Sequence, residues 1–207
     1  DYLLNSSISK SENSEDYWDT KLTINNNNID LRTDLNISYD NYFPEIEGKI
    51  VFTYNNLRKM FNLDSLKYLN LIDKKSKFIG DVSFNFNNNI LFYSLYNMSA
   101  NIGDLSFTGA LSGNNELDPN IEVALSSNNL DLDIFIDQIN NIKNNYNNDK
   151  VDSFSYWDKL NGKFIFTIGT SKLLDYPIRN LSIEINKEQN NYILDSGYAT
   201  FPGNTEI

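Results

Sequence analysis

The stretch "GDLSFTGALSG" (residues 103–113) decides the fold class. Its odd-numbered residues are glycine or apolar, and the residues between them are small and mostly polar. A β-strand sends successive side chains to opposite faces of its sheet, so this alternation predicts a strand with one apolar and one polar face. The function of the chain then depends on what covers the apolar face, which could be a second sheet, a helix or a ligand.

Three other stretches repeat this pattern in the same phase: "GKIVFTY" from Gly48, "GDVSFNF" from Gly80 and "GKFIFTI" from Gly162. Four copies in one phase predict a repeat architecture, in which neighbouring units bury a continuous apolar face. The residues that the four stretches place on this face are Ile50, Phe52, Tyr54, Val82, Phe84, Phe86, Leu105, Phe107, Leu111, Phe164, Phe166 and Ile168.

The remaining segments also alternate, and short connections rich in Asn and Gly join them. These two residues tolerate the positive φ of tight turns, so the pattern predicts a mainly β chain with a meandering antiparallel sheet. Two short amphipathic helices are expected to interrupt it. The first lies near 55–70, and the second lies within 131–146, where Phe135, Ile139 and Ile142 recur at helical spacing.

The chain divides into four predicted regions. Residues 1–18 form an N-terminal segment that we expect to be disordered, and 19–136 form a first group of β-repeats that includes the first helix. Residues 137–152 are a polar helical or loop spacer, and 153–207 are a second group, truncated at its C-terminus. The chain begins without Met or a basic leader, so we expect it to be a segment of a longer protein.

Composition excludes several classes of function. The formal net charge of -11 disfavours nucleic acid and anionic membrane surfaces as partners. The chain has no His and no Cys, which excludes Ser-His-Asp and Cys-His catalysis and the common zinc sites. No apolar run is long enough to span a bilayer as a helix.

Carboxylates are the remaining candidates for acid–base chemistry. Glu45 with Glu47 and Asp131 with Asp133 are nominal glycosidase pairs. Solvated acids on a polar face, or acids at a helix N-terminus, explain them more simply. We therefore expect no catalytic residues, no metal, no cofactor and no enzyme activity.

Aromatic side chains offer a second candidate site. Tyr17, Trp18, Tyr156 and Trp157 could form a platform that stacks on sugars. Packing at the edges of the sheet is the simpler interpretation of the same residues.

Two long segments and one shorter stretch carry a resemblance to a known family. The first long segment runs from "FIGDVSFNF" at Phe78 to Ile136, and the second runs from "YWDKLNGKFIFTIGT" at Tyr156 to Gly203. Together with "IEGKIVFTYNNLRKMF", which begins at Ile46, these resemble the AsmA-like proteins of the Gram-negative envelope. The resemblance covers about residues 40 to 203 and consists of Gly and alternating apolar positions.

This resemblance implies an elongated, curled β-sheet with an apolar groove, in the periplasm. It implies that the twelve apolar residues given above line a groove for phospholipid acyl chains, without catalysis. It also implies an inner-membrane anchor outside this segment, outer-membrane assembly partners, and a part in lipid transport and outer-membrane biogenesis. An acyl chain needs only a continuous apolar lining, which alternation in one phase supplies.

Other functions stay open at this point. A surface or secreted β-repeat module with a closed core could bind carbohydrate or protein through Trp18, Trp157 and the acidic face. A carboxylate-dependent glycoside hydrolase is a third alternative. An open groove favours the lipid-transport hypothesis, and a sealed sandwich favours the binding module with a closed core.

Overall fold

The computed structural model describes residues 3–10, 17–55 without 41–42, 74–134 without 104, residue 136, and 160–207 without 190 and 204. The described residues form twelve strands, with almost no helix. The strands are β1 (Leu3–Lys10), β2 (Trp18–Asn25), β3 (Ile29–Asp40), β4 (Phe43–Tyr54), β5 (Ser76–Asn87), β6 (Ile90–Ile102), β7 (Leu105–Asn114), β8 (Asn120–Asp131), β9 (Asn161–Leu173), β10 (Tyr176–Glu188), β11 (Asn191–Phe201) and β12 (Thr205–Glu206).

All twelve strands belong to one long, curled sheet, in which each strand pairs with its neighbours in the sequence. The predicted fold class, a mainly β chain with a curled antiparallel sheet, is therefore confirmed. Short connections join most consecutive strands, since antiparallel neighbours need only a tight turn. The connections after β4 and β8 are longer and comprise residues 55–75 and 132–160.

One pair of strands departs from the predicted meander. β8 and β9 run parallel, from Asn120 opposite Asn161 to Asp131 opposite Lys172. Parallel neighbours need a crossover of a dozen or more residues, and the segment between β8 and β9, residues 132–160, has that length. The spacer predicted at 137–152 lies outside the described residues, but it falls within this crossover. The two predicted groups of repeats thus join in one continuous sheet.

The N-terminal segment was predicted wrongly at residues 3–10. These residues form β1, which pairs with β2 over its whole length, from Leu3 opposite Asn25 to Lys10 opposite Trp18. The alternation of Leu4, Ser6 and Ile8 is diluted by serine, so it gives a weak strand signal. A strand at the edge of a sheet needs less apolar surface than a central one, because only one neighbour packs against it.

Register places apolar residues side by side across the sheet. Residues directly opposite each other share a face, so a chain of such partners traces one row across the strands. From β1 to β11 one row consists of Ile8, Thr20, Leu35, Gly48, Val82, Leu95, Leu111, Val123, Phe164, Ile185 and Leu194. We call the face that carries this row the apolar face.

The adjacent row has the opposite character. It consists of Ser9, Asp19, Asn36, Glu47, Ser83, Ser94, Ser112, Glu122, Lys163, Asn186 and Ile193. These side chains lie on the other side of the sheet, which we call the polar face. The period of two seen in the opening stretch thus persists over eleven strands.

Tight turns contain the residue types that the sequence predicted. The β5–β6 turn contains Asn88 and Asn89 with φ of 49° and 66°, and Gly103 between β6 and β7 has φ of 59°.

The helix predicted near 55–70 falls mostly on residues outside the described part. Of the second predicted helix, residues 132–134 and 136 are helical, and the rest lies outside the described residues.

Few apolar residues in the described part of the chain are buried. They are Tyr54, Val82, Leu130, Leu160, Ile168, Ile178 and Ala199. Every described strand belongs to the same sheet, so no described strand forms a second sheet over the apolar face. Most of the apolar face is therefore half-buried rather than sealed as in a sandwich.

Candidate functional site

The apolar face forms a hollow of about 620 Å³ where β6 to β10 curl around it. We call this hollow the trough. Thirteen of its fifteen lining residues are apolar, and none is charged. They are Met98, Ala100, Ile102, Leu105, Phe107, Leu125, Ser127, Leu130, Leu132, Phe166, Thr167, Ile168, Leu181, Ile183 and Ile185.

Cross-strand pairing builds the lining of the trough. Phe166 lies opposite Leu125 on one side and opposite Ile183 on the other. On the next strands, Phe107 lies opposite Ala100. Most of these side chains are half-buried, so a partly exposed apolar surface faces the hollow. Such a surface favours contact with hydrocarbon over contact with water.

Backbone contacts between strands depend on glycine beside the trough. A Cβ atom placed on Gly109 would lie 2.0 Å from the carbonyl oxygen of Ala124. Gly109 pairs with Met98 and Leu125, both of which line the trough. The missing side chain thus lets β7 and β8 approach each other beside the trough.

The structure places all twelve predicted groove residues on the apolar face. Four of them, Leu105, Phe107, Phe166 and Ile168, line the trough. The other eight lie on the same face outside the trough: Ile50, Phe52, Tyr54, Val82, Phe84, Phe86, Leu111 and Phe164. That this face binds lipid stays a prediction.

Several lining residues were missed by the sequence prediction. The repeat motif does not occur in β6, β8 or β10, so Met98, Leu125 and Ile183 were not named. Leu181, Ile183 and Ile185 do alternate in the sequence, and this period could have identified them. In β6, a register shift between Leu95 and Met98 hides the alternation.

A buried lysine lies beside one end of the trough. Lys187 follows the lining residue Ile185 by two positions, and its side chain is 1% exposed. Its Nζ atom donates hydrogen bonds to the carbonyl oxygens of Leu160, at 2.7 Å, and Gln189. It also lies 5.9 Å from the centroid of the Tyr192 ring. The ammonium is thus buried with two carbonyl oxygens as its hydrogen-bond acceptors, which offset the cost of removing its charge from water.

Ion pairs near the trough lie on the polar face or in a turn. Lys163 and Glu184 approach to 2.6 Å, and the hydrogen bond and charge of Glu184 raise the pKa of Lys163. In the β9–β10 turn, the hydrogen bond and charge of Lys172 lower the pKa of Asp175. Such exposed pairs contribute little stability, and they leave the lining of the trough uncharged.

The carboxylates considered as catalytic pairs have local structural partners. Glu45 accepts a hydrogen bond of 2.6 Å from Asn85, whereas Glu47 lies opposite Ser83 on the polar face. Asp131 accepts from the backbone N–H of Ile134, as a helix N-cap does. Asp133 accepts from the backbone N–H groups of Leu174 and Asp175, at 2.6 and 3.3 Å. The absence of enzyme activity stays a prediction.

The aromatic platform is described only in part. Trp18 begins β2 opposite Ile37 and is 41% exposed, and Tyr17 precedes it at 47%. Because Ile37 lies opposite Ile46, and Ile46 opposite Phe84, Trp18 belongs to the apolar face. Tyr156 and Trp157 lie outside the described residues.

Two further classes of feature are absent from the described ranges. No three or more carboxylates lie close enough together there to hold a metal ion. Within the same ranges, no helix has the length and apolar character that crossing a bilayer requires.

Comparison with known proteins gives no relative of this chain. No family model matches it, and neither a curated protein nor a solved structure is significantly similar.

Proposed function

We propose that the apolar face binds the acyl chains of phospholipids, with the trough as its principal binding site. The observation that carries this proposal is a hollow of about 620 Å³ with no charged lining residue, on a sheet that no described strand covers. Binding pockets for small molecules commonly have volumes in this range and apolar linings.

Energetics favour hydrocarbon as the ligand. Burial of one methylene group contributes about 0.8 kcal/mol, so about ten methylene groups contribute roughly 8 kcal/mol before the entropy of association opposes them. The ligand needs no hydrogen bonds in the trough, which has only Ser127 and Thr167 as polar lining residues. The polar headgroup stays in water at the open side.

The repeat motif supports a wider biological setting. Its Gly and Phe positions resemble those of AsmA-like proteins, and the apolar row extends beyond the trough from β5 to β1 on one side and onto β11 on the other. In this proposal the chain is the periplasmic part of an anchored envelope protein. It conducts phospholipid between membranes along the apolar face and takes part in outer-membrane biogenesis.

Binding of a fluorescent fatty acid to the purified, delipidated chain tests the proposal, and organic extraction with mass spectrometry identifies lipid acquired during expression. Phe107→Asp and Phe166→Asp place a charge in the trough, so each should weaken binding by at least roughly tenfold. Phe84→Asp lies on the same face outside the trough and should have a smaller effect.

Thr108→Asp is the matched control, because Thr108 precedes Gly109 and follows Phe107 but is exposed on the polar face. It should bind the fatty acid like the unmodified chain. Circular dichroism and a melting curve restrict the comparison to folded variants, and Phe107→Ala provides a milder substitution at the same site. Folded Phe107→Asp and Phe166→Asp variants that bind as tightly as the control would contradict the proposal.

A further inference from the structure

The polar face carries two adjoining hollows, on the side of the sheet opposite the trough. Their volumes are about 390 Å³ and 510 Å³, and most of the residues that line them lie on the polar face of β5 to β9. Ser94, Ser112 and Glu122 line both hollows, so we call the two together the polar groove. The polar groove shares no lining residue with the trough.

Two exposed aromatic rings flank the centre of the polar groove. Phe92 and Tyr96 lie on the same face of β6, two residues before and after Ser94, and they are 40% and 39% exposed. Phe92 lines the first hollow and Tyr96 lines the second. The pairing of β6 with β5 is regular from Ile90 to Tyr96, so the Cα atoms of the two aromatic residues are about 13 Å apart. A ligand that contacts both rings is therefore extended and has an apolar surface for each.

Polar groups that can bind a ligand lie between the two rings. In the described part of the chain, the side chains of Ser94, Ser112 and Glu122 make no hydrogen bond, and their oxygen atoms are accessible to water. The side-chain oxygen of Asn114 accepts a hydrogen bond of 3.2 Å from the backbone N–H of Glu116, which leaves its NH₂ group as a donor. Together these hydroxyl, amide and carboxylate groups offer both donors and acceptors.

The chemistry of the polar groove disfavours three classes of ligand. Glu122 and the net charge of -11 repel anions, and the neighbouring Lys163 is paired with Glu184 at 2.6 Å. Hydrocarbon would remove the hydroxyl and carboxylate groups from water without replacing their hydrogen bonds. A peptide strand cannot extend the sheet here, because β5 to β9 are each paired with a neighbour on both sides.

We propose that the polar groove binds a neutral oligosaccharide. A sugar ring has hydroxyl groups, which donate and accept hydrogen bonds, and C–H faces, which pack on aromatic rings. The hydroxyl groups pair with Ser94, Ser112 and Glu122, and the C–H faces pack on Phe92 and Tyr96. The separation of the two rings requires more than one sugar unit. This inference is independent of the proposed lipid binding, which uses the other face of the sheet.

Native affinity electrophoresis tests the proposal, in gels that contain dextran, hydroxyethyl cellulose or glucomannan, with a gel that lacks polysaccharide as the reference. At least one of these neutral polysaccharides should retard the unmodified chain, and alginate, which is anionic, should not. Phe92→Ala and Tyr96→Ala each remove one ring, so each should raise the dissociation constant by roughly fivefold or more. Tyr39→Ala is the control and should bind like the unmodified chain, because Tyr39 is 60% exposed but lies on the apolar face.

The carboxylate is tested by Glu122→Gln, which removes a charged acceptor for sugar hydroxyls and should weaken binding by roughly threefold or more. Glu47→Gln is its matched control, because Glu47 is an exposed carboxylate in the same row of the polar face, outside the polar groove. Circular dichroism shows that each variant is folded, and unchanged binding of the fluorescent fatty acid shows that the trough is intact.

Three results would overturn the proposal. One is identical migration of the unmodified chain in all gels, and another is retardation by alginate alone. The third is retardation that persists unchanged in folded Phe92→Ala and Tyr96→Ala variants.

Discussion

At the residue scale, the close approach of strands depends on glycine more than on the apolar side chains. The Cβ of an alanine at Gly109 would overlap the carbonyl oxygen of Ala124, and that atom belongs to the paired backbone of β8. Gly109→Ala should therefore lower the free energy of unfolding by about 1–3 kcal/mol, measured by urea denaturation. Gly197→Ala is the control, since a Cβ there meets no atom within 4 Å. If the two variants had the same free energy of unfolding, β7 and β8 would accommodate the added methyl group without loss of stability, and the prediction would be wrong.

The pattern of residue types along a strand predicts which face each side chain lies on, but not which side chains line the trough. Alternation in "GDLSFTGALSG" placed Leu105, Phe107 and Leu111 on one face, because side-chain period follows directly from strand geometry. It could not show which of them border a hollow. That depends on how β6 and β10 curl toward each other, which the period of a single strand does not encode.

At the scale of single elements, the β9–β10 turn contains a poorly suited residue. Leu174 and Asp175 have φ of 52° and 67°, a conformation that costs L-residues other than Asn, Asp and Gly about 1–2 kcal/mol. Leu174 is also 76% exposed, so its side chain contributes little packing. Leu174→Asn should raise the free energy of unfolding by about 0.5–1 kcal/mol, because Asn tolerates this region.

The measurement is again chemical denaturation, with Leu117→Asn as the control. Leu117 is 93% exposed and has no positive φ, so its substitution should leave stability unchanged. The backbone hydrogen bonds from the turn to Asp133 are retained in both variants. A Leu174→Asn variant that is less stable than the parent chain would mean that the leucine side chain stabilises the turn.

Strands and turns were predicted correctly where the sequence shows clear apolar alternation or a run of turn-forming residues. The strands around Phe84, Phe107 and Phe166 follow from alternation, and the β5–β6 turn follows from its run of Asn. β1 was missed because serine dilutes its apolar period. The parallel β8–β9 pair was missed because strand direction depends on the path of the crossover, and residues 132–160 carry no sequence signal for that path.

At the scale of the whole molecule, bound hydrocarbon should stabilise the sheet. A ligand that binds only the folded state adds about 2.7 kcal/mol at a hundred times its dissociation constant. Palmitate should therefore raise the melting temperature of the delipidated chain, measured by differential scanning calorimetry. Butyrate at the same concentration has the same carboxylate with little hydrocarbon, and it should give a much smaller shift. Equal shifts would assign the effect to the carboxylate rather than to the apolar face.

The sequential strand order governs how the chain can fold during synthesis. From β1 to β8, each strand completes its pairing with the strand made just before it, so a nascent chain can fold progressively as it leaves the ribosome. Among the described strands, β9 waits longest, because residues 132–160 separate it from its partner β8, whereas residues 55–75 separate β5 from β4. We therefore expect translation of residues 132–160 to divide folding into two stages, with β1–β8 structured before β9 is made.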